Sequence, residues 1–219
     1  MRENLPDNTC FYENKDEYIE FINTKIKPAN ILVFAGAVKD RYLSSKWKMF
    51  FDRSFFNTHI PIFIGKQVGF VISGPLSQIP NLRQVLEAYS QMQRVNTVNF
   101  VTDESKNSTA LDALLHGLAG RLVQFAQEEY SNPATFLGVG GRKVLRDEVY
   151  GRLRFPFQSD HQFYRKHGFY DYPQKEYKTR IQNLFYKFLL KIPSMRKEIY
   201  NKRMIPEMVK PLQKIVESK

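Results

Sequence analysis

Cysteine occurs once in the chain, as Cys10 among 219 residues. With no second thiol there is no internal disulfide framework, and the chain cannot build a Cys-rich metal or iron–sulfur site unaided. Redox chemistry, if it takes place here, has to come from a bound cofactor. Long apolar runs are also missing: none approaches the roughly 18 uncharged residues of a membrane span. The opening "MRENLPDNTCFYENKDEY" is too acidic and polar for a signal peptide, which predicts a cytoplasmic protein. His59, His116, His161 and His167 show no ligand spacing with carboxylates and read as ordinary surface or core residues. Internal repeats and low-complexity tracts are absent. The last third is short of acid. Residues 151–219 hold 16 Lys and Arg against 6 Asp and Glu, whereas 1–150 hold 17 against 16.

At 42% hydrophobic residues the chain is globular, with enough apolar mass for a sizeable core. Apolar residues at Tyr18, Ile19, Phe21, Ile22 and Ile26 trace a helical face over 15–26. "NILVFAG" runs continuously apolar, as strands buried on both faces do. Trp47, Phe50, Phe51 and Phe55 recur at helical spacing behind Ser44, a residue suited to cap a helix. "KQVGFVISG" and "NTVNFVTDE" predict two more strands, with "NLRQVLEAYSQMQ" and "ALDALLHGLAGRLVQFAQEEY" as helices. Strands alternating with helices predict βαβ units and a parallel sheet. Beyond Asn132-Pro133 the alternation stops: "ATFLGVGGRKVL" predicts a short strand and turn, 152–174 an irregular stretch, 175–190 a helix ended near Pro193, and 206–216 a last helix. "GVGG" at 138–141 lacks the spacing of either a dinucleotide or a P-loop motif and predicts a flexible turn. The division expected is an α/β domain over 1–132 and a basic, aromatic-rich, mostly helical extension over 133–219.

In open parallel sheets ligands bind outside the carboxyl ends of the strands, so loops 35–44 and 73–79 are expected on one functional edge. Gly36 and Gly74 allow a flat ligand close to the backbone, and Ser44, Ser73 and Ser77 offer hydroxyls.

The run from Ile31 to Arg53 resembles the third strand, loop and helix of the flavodoxin-like NAD(P)H-dependent FMN reductases, which include the iron–sulfur flavoproteins. Their pattern is an apolar strand, S-P-V-Y, a small-residue loop, Ser, and a helix with K-x-x-x-D-R. Val38, Ser44, Lys48, Asp52 and Arg53 fall on matching positions without a gap, and "GKQVGFVISG" is similar to the next strand. The likeness covers about residues 8 to 130. It implies a three-layer α/β/α fold, flavodoxin-like, represented by its C-terminal three strands. It also implies a flavin site in which the first loop packs on the isoalloxazine ring and the second encloses it. The cofactor-binding residues so implied are Ala35, Gly36, Ala37, Val38, Lys39, Tyr42, Leu43 and Ser44, with Ser73, Gly74, Pro75, Leu76 and Ser77. FMN would be the cofactor and NAD(P)H the electron donor; no side chain need act as acid or base. Ala37 replaces the family's proline, Lys39 its tyrosine and Arg41 a small residue, which makes this loop unusually cationic. The family's first strand and Ser/Thr phosphate loop have no counterpart, and Cys10 resembles the last cysteine of an otherwise missing cluster. The expectation is therefore an unpaired edge at Ile31–Phe34, completed by a homo-oligomer or by a complementing N-terminal half.

The alternative reading is a cofactor-free binding module. Its basic tail interleaves Leu, Phe and Ile with Lys and Arg in "RIQNLFYKFLLKIPSMRKEIYNKR", a pattern that suits docking on the sheet, an acidic partner, or an anionic membrane surface to which the protein would be peripheral. Nucleic acid is a weaker option, since no recognition motif accompanies the charge.

Overall fold

The computed structural model describes residues 17–105, 107–171 and 175–217, so Cys10 and the start of the first expected helix lie outside the described residues. The helix is described as α1, Tyr18–Phe21, continuing into a π-helical turn, Ile22–Ile26, with Ile22 buried. By contact the described residues fall into two compact units, one up to Leu145 and one from Arg146.

The first unit is built on a four-stranded sheet in the order β2-β1-β3-β4. β1 (Ile31–Lys39), β3 (Gln67–Ser73) and β4 (Asn96–Thr102) are parallel, with Ile31 beside Gln67 and Ala37 beside Ser73; β2 (Tyr42–Leu43) pairs antiparallel to the end of β1. This is an open, mostly parallel α/β sheet, as the alternation of strands and helices predicts. The period of two along each strand sends side chains to opposite faces. On one face Leu32, Val68, Phe70 and Ile72 form a core with Trp47 of α2 (Ser45–Ser54) and with Leu82 and Leu86 of α3 (Pro80–Met92). On the other, Val101 packs with Leu118 and Leu122 of α4 (Ser108–Gln127), against Val71. α4 lies so close to the sheet that a Cβ on Gly69 would stand 3.1 Å from both leucines. Asn107 caps α4, its side chain accepting from the Ala110 amide at 3.1 Å.

β1 departs from the sequence expectation in two ways. One face is covered along its length, but the other only at its start, where Ile31 packs towards α4, while Val33 is 54% exposed. It also runs on to Lys39, so that most of the segment expected as a loop is strand, closed by a tight turn at Asp40-Arg41 and by Leu43 opposite Val38. Among the described residues no strand pairs the outer edge of β1 from Ile31 to Ala37.

The region from 134 to 145, expected as a strand and turn, is instead the first part of α5, Phe136–Tyr150. Three glycines give that stretch weak intrinsic helicity. Local fixing compensates: Thr135 Oγ1 donates to Gln91 Oε1 at 2.8 Å and accepts from the Gly138 amide at 3.1 Å, while Gln91 leaves no room for a Cβ at Gly138. The irregular stretch expected over 152–174 contains α6, Gln158–Lys166, with Asp160 and Tyr164 buried. Then come α7 (Tyr177–Leu189), α8 (Pro193–Glu198), a π-helical turn, and α9 (Met204–Glu217). Buried Asn183 ties α7 to the segment after α5, donating to Gly151 O at 2.8 Å and accepting from the Phe155 amide at 3.1 Å. Among the described residues no helix is long and apolar enough to cross a membrane.

Candidate functional site

Because β1, β3 and β4 are parallel, their carboxyl ends share one edge, and there the hairpin 38–43 and the turn 74–78 meet. Gly74 has φ +118°, a conformation that favours glycine, and a Cβ on it would come within 2.9 Å of the Val38 Cβ. The two segments expected to enclose a ligand are therefore in direct contact.

The thirteen residues implied as cofactor-binding divide by their surroundings. Leu43 and Leu76 are buried in the core beside Trp47 and support the edge from beneath. Gly36 is also structural, since the Trp47 indole fills the space a Cβ there would take. Its missing side chain makes room for the protein's own tryptophan, not for a ligand. Ala35, Lys39, Tyr42, Ser73, Pro75 and Ser77 are exposed; Ala37, Val38, Ser44 and Gly74 are half-buried.

The donors of the 73–77 turn are largely engaged by two carboxylates that lie just past β4. Ser73 Oγ donates to Asp103 Oδ2 at 2.6 Å and the Gly74 amide to Oδ1 at 2.7 Å. Ser77 gives both its hydroxyl and its amide to Glu104, and Thr102 Oγ1 donates to the same carboxylate at 2.8 Å. The Ser73 and Gly74 bonds hold the Asp103 carboxyl below its ordinary pKa; those from Ser77 and Thr102 do the same for Glu104. This clip has the chemistry of an anion already bound, so a phosphate is disfavoured at the turn. Asp103 and Glu104 escaped the sequence reading, although the "TDE" ending of the third strand carried the signal.

Ser44 is different. It occupies the N-cap position of α2 without a side-chain cap bond, and among the described residues its hydroxyl has no hydrogen-bond partner. The hairpin tip is unusual as well: Asp40 and Arg41 have φ of 50° and 62°, both left-handed, as a two-residue turn matched to strand twist requires. Asparagine, aspartate or glycine normally fills such positions, and arginine is seldom found there.

The remaining residues of the likeness have structural work. Lys48 pairs with Asp52 at 2.5 Å on the exposed face of α2, and the Arg53 guanidinium lies 3.9 Å from the centroid of the Tyr18 ring. Lys66 sits at the opposite end of the strands, donating to the Lys27 and Ala29 carbonyls at 2.6 and 2.5 Å. A cavity of about 480 Å³ lies at that end too, lined by Gly65, Arg83, Gln91, Arg94 and Asn132, away from the candidate edge. Among the described residues no group of His, Cys, Asp or Glu is arranged to hold a metal.

No protein-family model matches the sequence, and no curated protein matches it either.

Proposed function

We propose that the sheet unit is the ring-binding part of an FMN-dependent oxidoreductase fed by NAD(P)H. The observation that carries this reading is the contact of Val38 with Gly74, which joins the two strand-end segments into one wall at the carboxyl edge of a parallel sheet. The donor set fits a neutral ring edge better than a phosphate: the Ser44 hydroxyl has no partner among the described residues, Tyr42 and Pro75 offer exposed apolar surface, and the Asp103–Glu104 clip disfavours an anion at the turn. Bound flavin would supply the hydride chemistry. The chain's own residues would place the ring, and Arg41 and Lys39 would set a positive potential beside it. FMN titrated into the full chain is expected to give a bound-flavin absorption band. Ser44→Ala should weaken uptake about five- to tenfold, the worth of one hydrogen bond, without loss of stability, because the hydroxyl caps nothing. Colourless protein that takes up no added FMN sinks the proposal.

The clip also favours a second reading, in which the sheet is a cofactor-free scaffold and the second unit carries the function. The same titration separates the two.

A further inference from the structure

Helix α7 of the second unit, Tyr177–Leu189, turns large apolar side chains to solvent. Tyr177, Ile181, Leu184 and Phe188 follow at i, i+4, i+7 and i+11, a single stripe along the helix, and each is between 57% and 71% exposed. Phe185 beside them is exposed to the same degree. Helices of soluble domains bury such a stripe, and one left open beside polar residues marks a contact surface.

Next to the stripe is an open cleft of about 660 Å³, lined by Arg154, Arg165, Arg180 and Lys187 together with Ile181 and Leu184. The last two belong to both features, so the apolar stripe runs into the wall of the cationic cleft. No carboxylate among the described residues makes an ion pair with any of the four cations. Of the nearby acids among the described residues, Asp160 is fully buried, Asp171 pairs with Arg146, and exposed Glu176, one turn before Arg180, makes no ion pair with it. Arg180 and Arg165 act on Arg154, and all four cations act on His161, which also lines the cleft. Burial first, and then Arg154, Arg165, Arg180 and Lys187, push its imidazole down to about 4. Among the described residues the cleft thus carries an excess of positive charge that no ion pair offsets.

An occupant has to answer both features at once. A free phosphate would satisfy the cations and leave the stripe in water; an apolar partner would do the reverse. We propose that α7 lies in the surface of an anionic lipid bilayer, with phospholipid headgroup phosphates held by Arg154, Arg165, Arg180 and Lys187 and the Tyr177–Ile181–Leu184–Phe188 stripe in the acyl boundary. The balance of 16 basic to 6 acidic residues over 151–219 gives the long-range attraction to such a surface. An interfacial helix with basic residues on its flanks is the structure that such a surface binds. The proposal is independent of the flavin reading.

The test is co-sedimentation of the full chain with vesicles of phosphatidylcholine, with and without phosphatidylglycerol. Binding is expected only to the anionic vesicles and should weaken steeply with salt. Arg165→Gln with Lys187→Gln, both at exposed positions, should lower affinity about twenty-five-fold, at roughly fivefold per charge. Ile181→Ser with Leu184→Ser should lower it tenfold or more at unchanged charge, with the helical circular dichroism of both variants intact. Inorganic pyrophosphate supplies the control for a soluble ligand. Three results overturn the proposal: no vesicle binding, binding indifferent to the two apolar substitutions, or saturable pyrophosphate binding that the apolar substitutions leave unchanged.

Discussion

Single residues at the candidate edge carry opposite obligations. Arg41 holds a left-handed backbone at a cost of about 1 kcal/mol, which glycine would not pay. Arg41→Gly is therefore expected to raise the chemical denaturation midpoint, by up to about 1 kcal/mol in stability, while weakening the uptake of FMN or NAD(P)H; a variant that is less stable would mean that the guanidinium holds the hairpin together. Gly36 behaves in the contrary sense. Because the Trp47 indole occupies its vacant side, Gly36→Ala is expected to destabilise by about 1–3 kcal/mol through overpacking, whether or not flavin binds. It is a probe of the core. The sequence offered both glycines as places for a ligand to approach, since absence of a side chain is visible in one dimension and the occupant of the space is not. Only the fold reveals that Trp47, eleven residues on, fills one and Val38 backs the other.

At the scale of elements, local pattern served best where one period ruled. β1, β3 and β4 follow from apolar β-branched runs, and α3 and α4 from helical spacing, all within a few residues of their observed ends. α5 was hidden because its helicity rests on Gln91 and Thr135 and not on its own glycine-rich residues. α6 was hidden because its aromatic and basic residues contact their neighbours on several sides: His161 Nδ1 lies 2.9 Å from Tyr170 Oη, and Phe163 stacks on His167 with centroids 3.9 Å apart. The continuous apolar run of β1 implied two buried faces, but Val33 is exposed and no strand among the described residues pairs the outer edge from Ile31 to Ala37. An exposed apolar strand edge invites strand addition. Sedimentation velocity at micromolar concentration should accordingly show association of the full chain, and Val33→Lys should shift it towards monomer. If the two sediment alike, the open edge is not the contact.

The whole molecule divides its charge as it divides its contacts, nearly neutral around the sheet and strongly basic after it, and acid stability is where that division becomes measurable. Asp103, Glu104 and Glu198 are all held below their ordinary values by hydrogen bonds, from Ser73, Ser77 and Lys202 respectively. Stability from these groups is present above the unfolded carboxylate range and is lost only as pH falls below about 4.5. His161 acts earlier. Its folded value is depressed to about 4 from 6.5, by burial and by four cations, so between these limits the unfolded chain binds a proton that the folded one refuses. The corresponding stability is complete above pH 6.5 and drains as pH falls towards 4, with a slope of at most about 1.4 kcal/mol per pH unit that partial solvent exposure reduces. The interval from pH 6.5 down to 5 thus isolates the histidine from the carboxylates. The thermal midpoint of the full chain is expected to decline across it, and His161→Gln should flatten the decline; a flat profile in the unsubstituted chain would mean that the imidazole takes up its proton alike in the folded and unfolded chain. Anionic vesicles offer a check from the other side. Headgroup phosphates among Arg154, Arg165, Arg180 and Lys187 would cancel part of the repulsion on the ring, so the imidazole's titration, followed by nuclear magnetic resonance, should move up when such vesicles are added and stay in place with phosphatidylcholine alone.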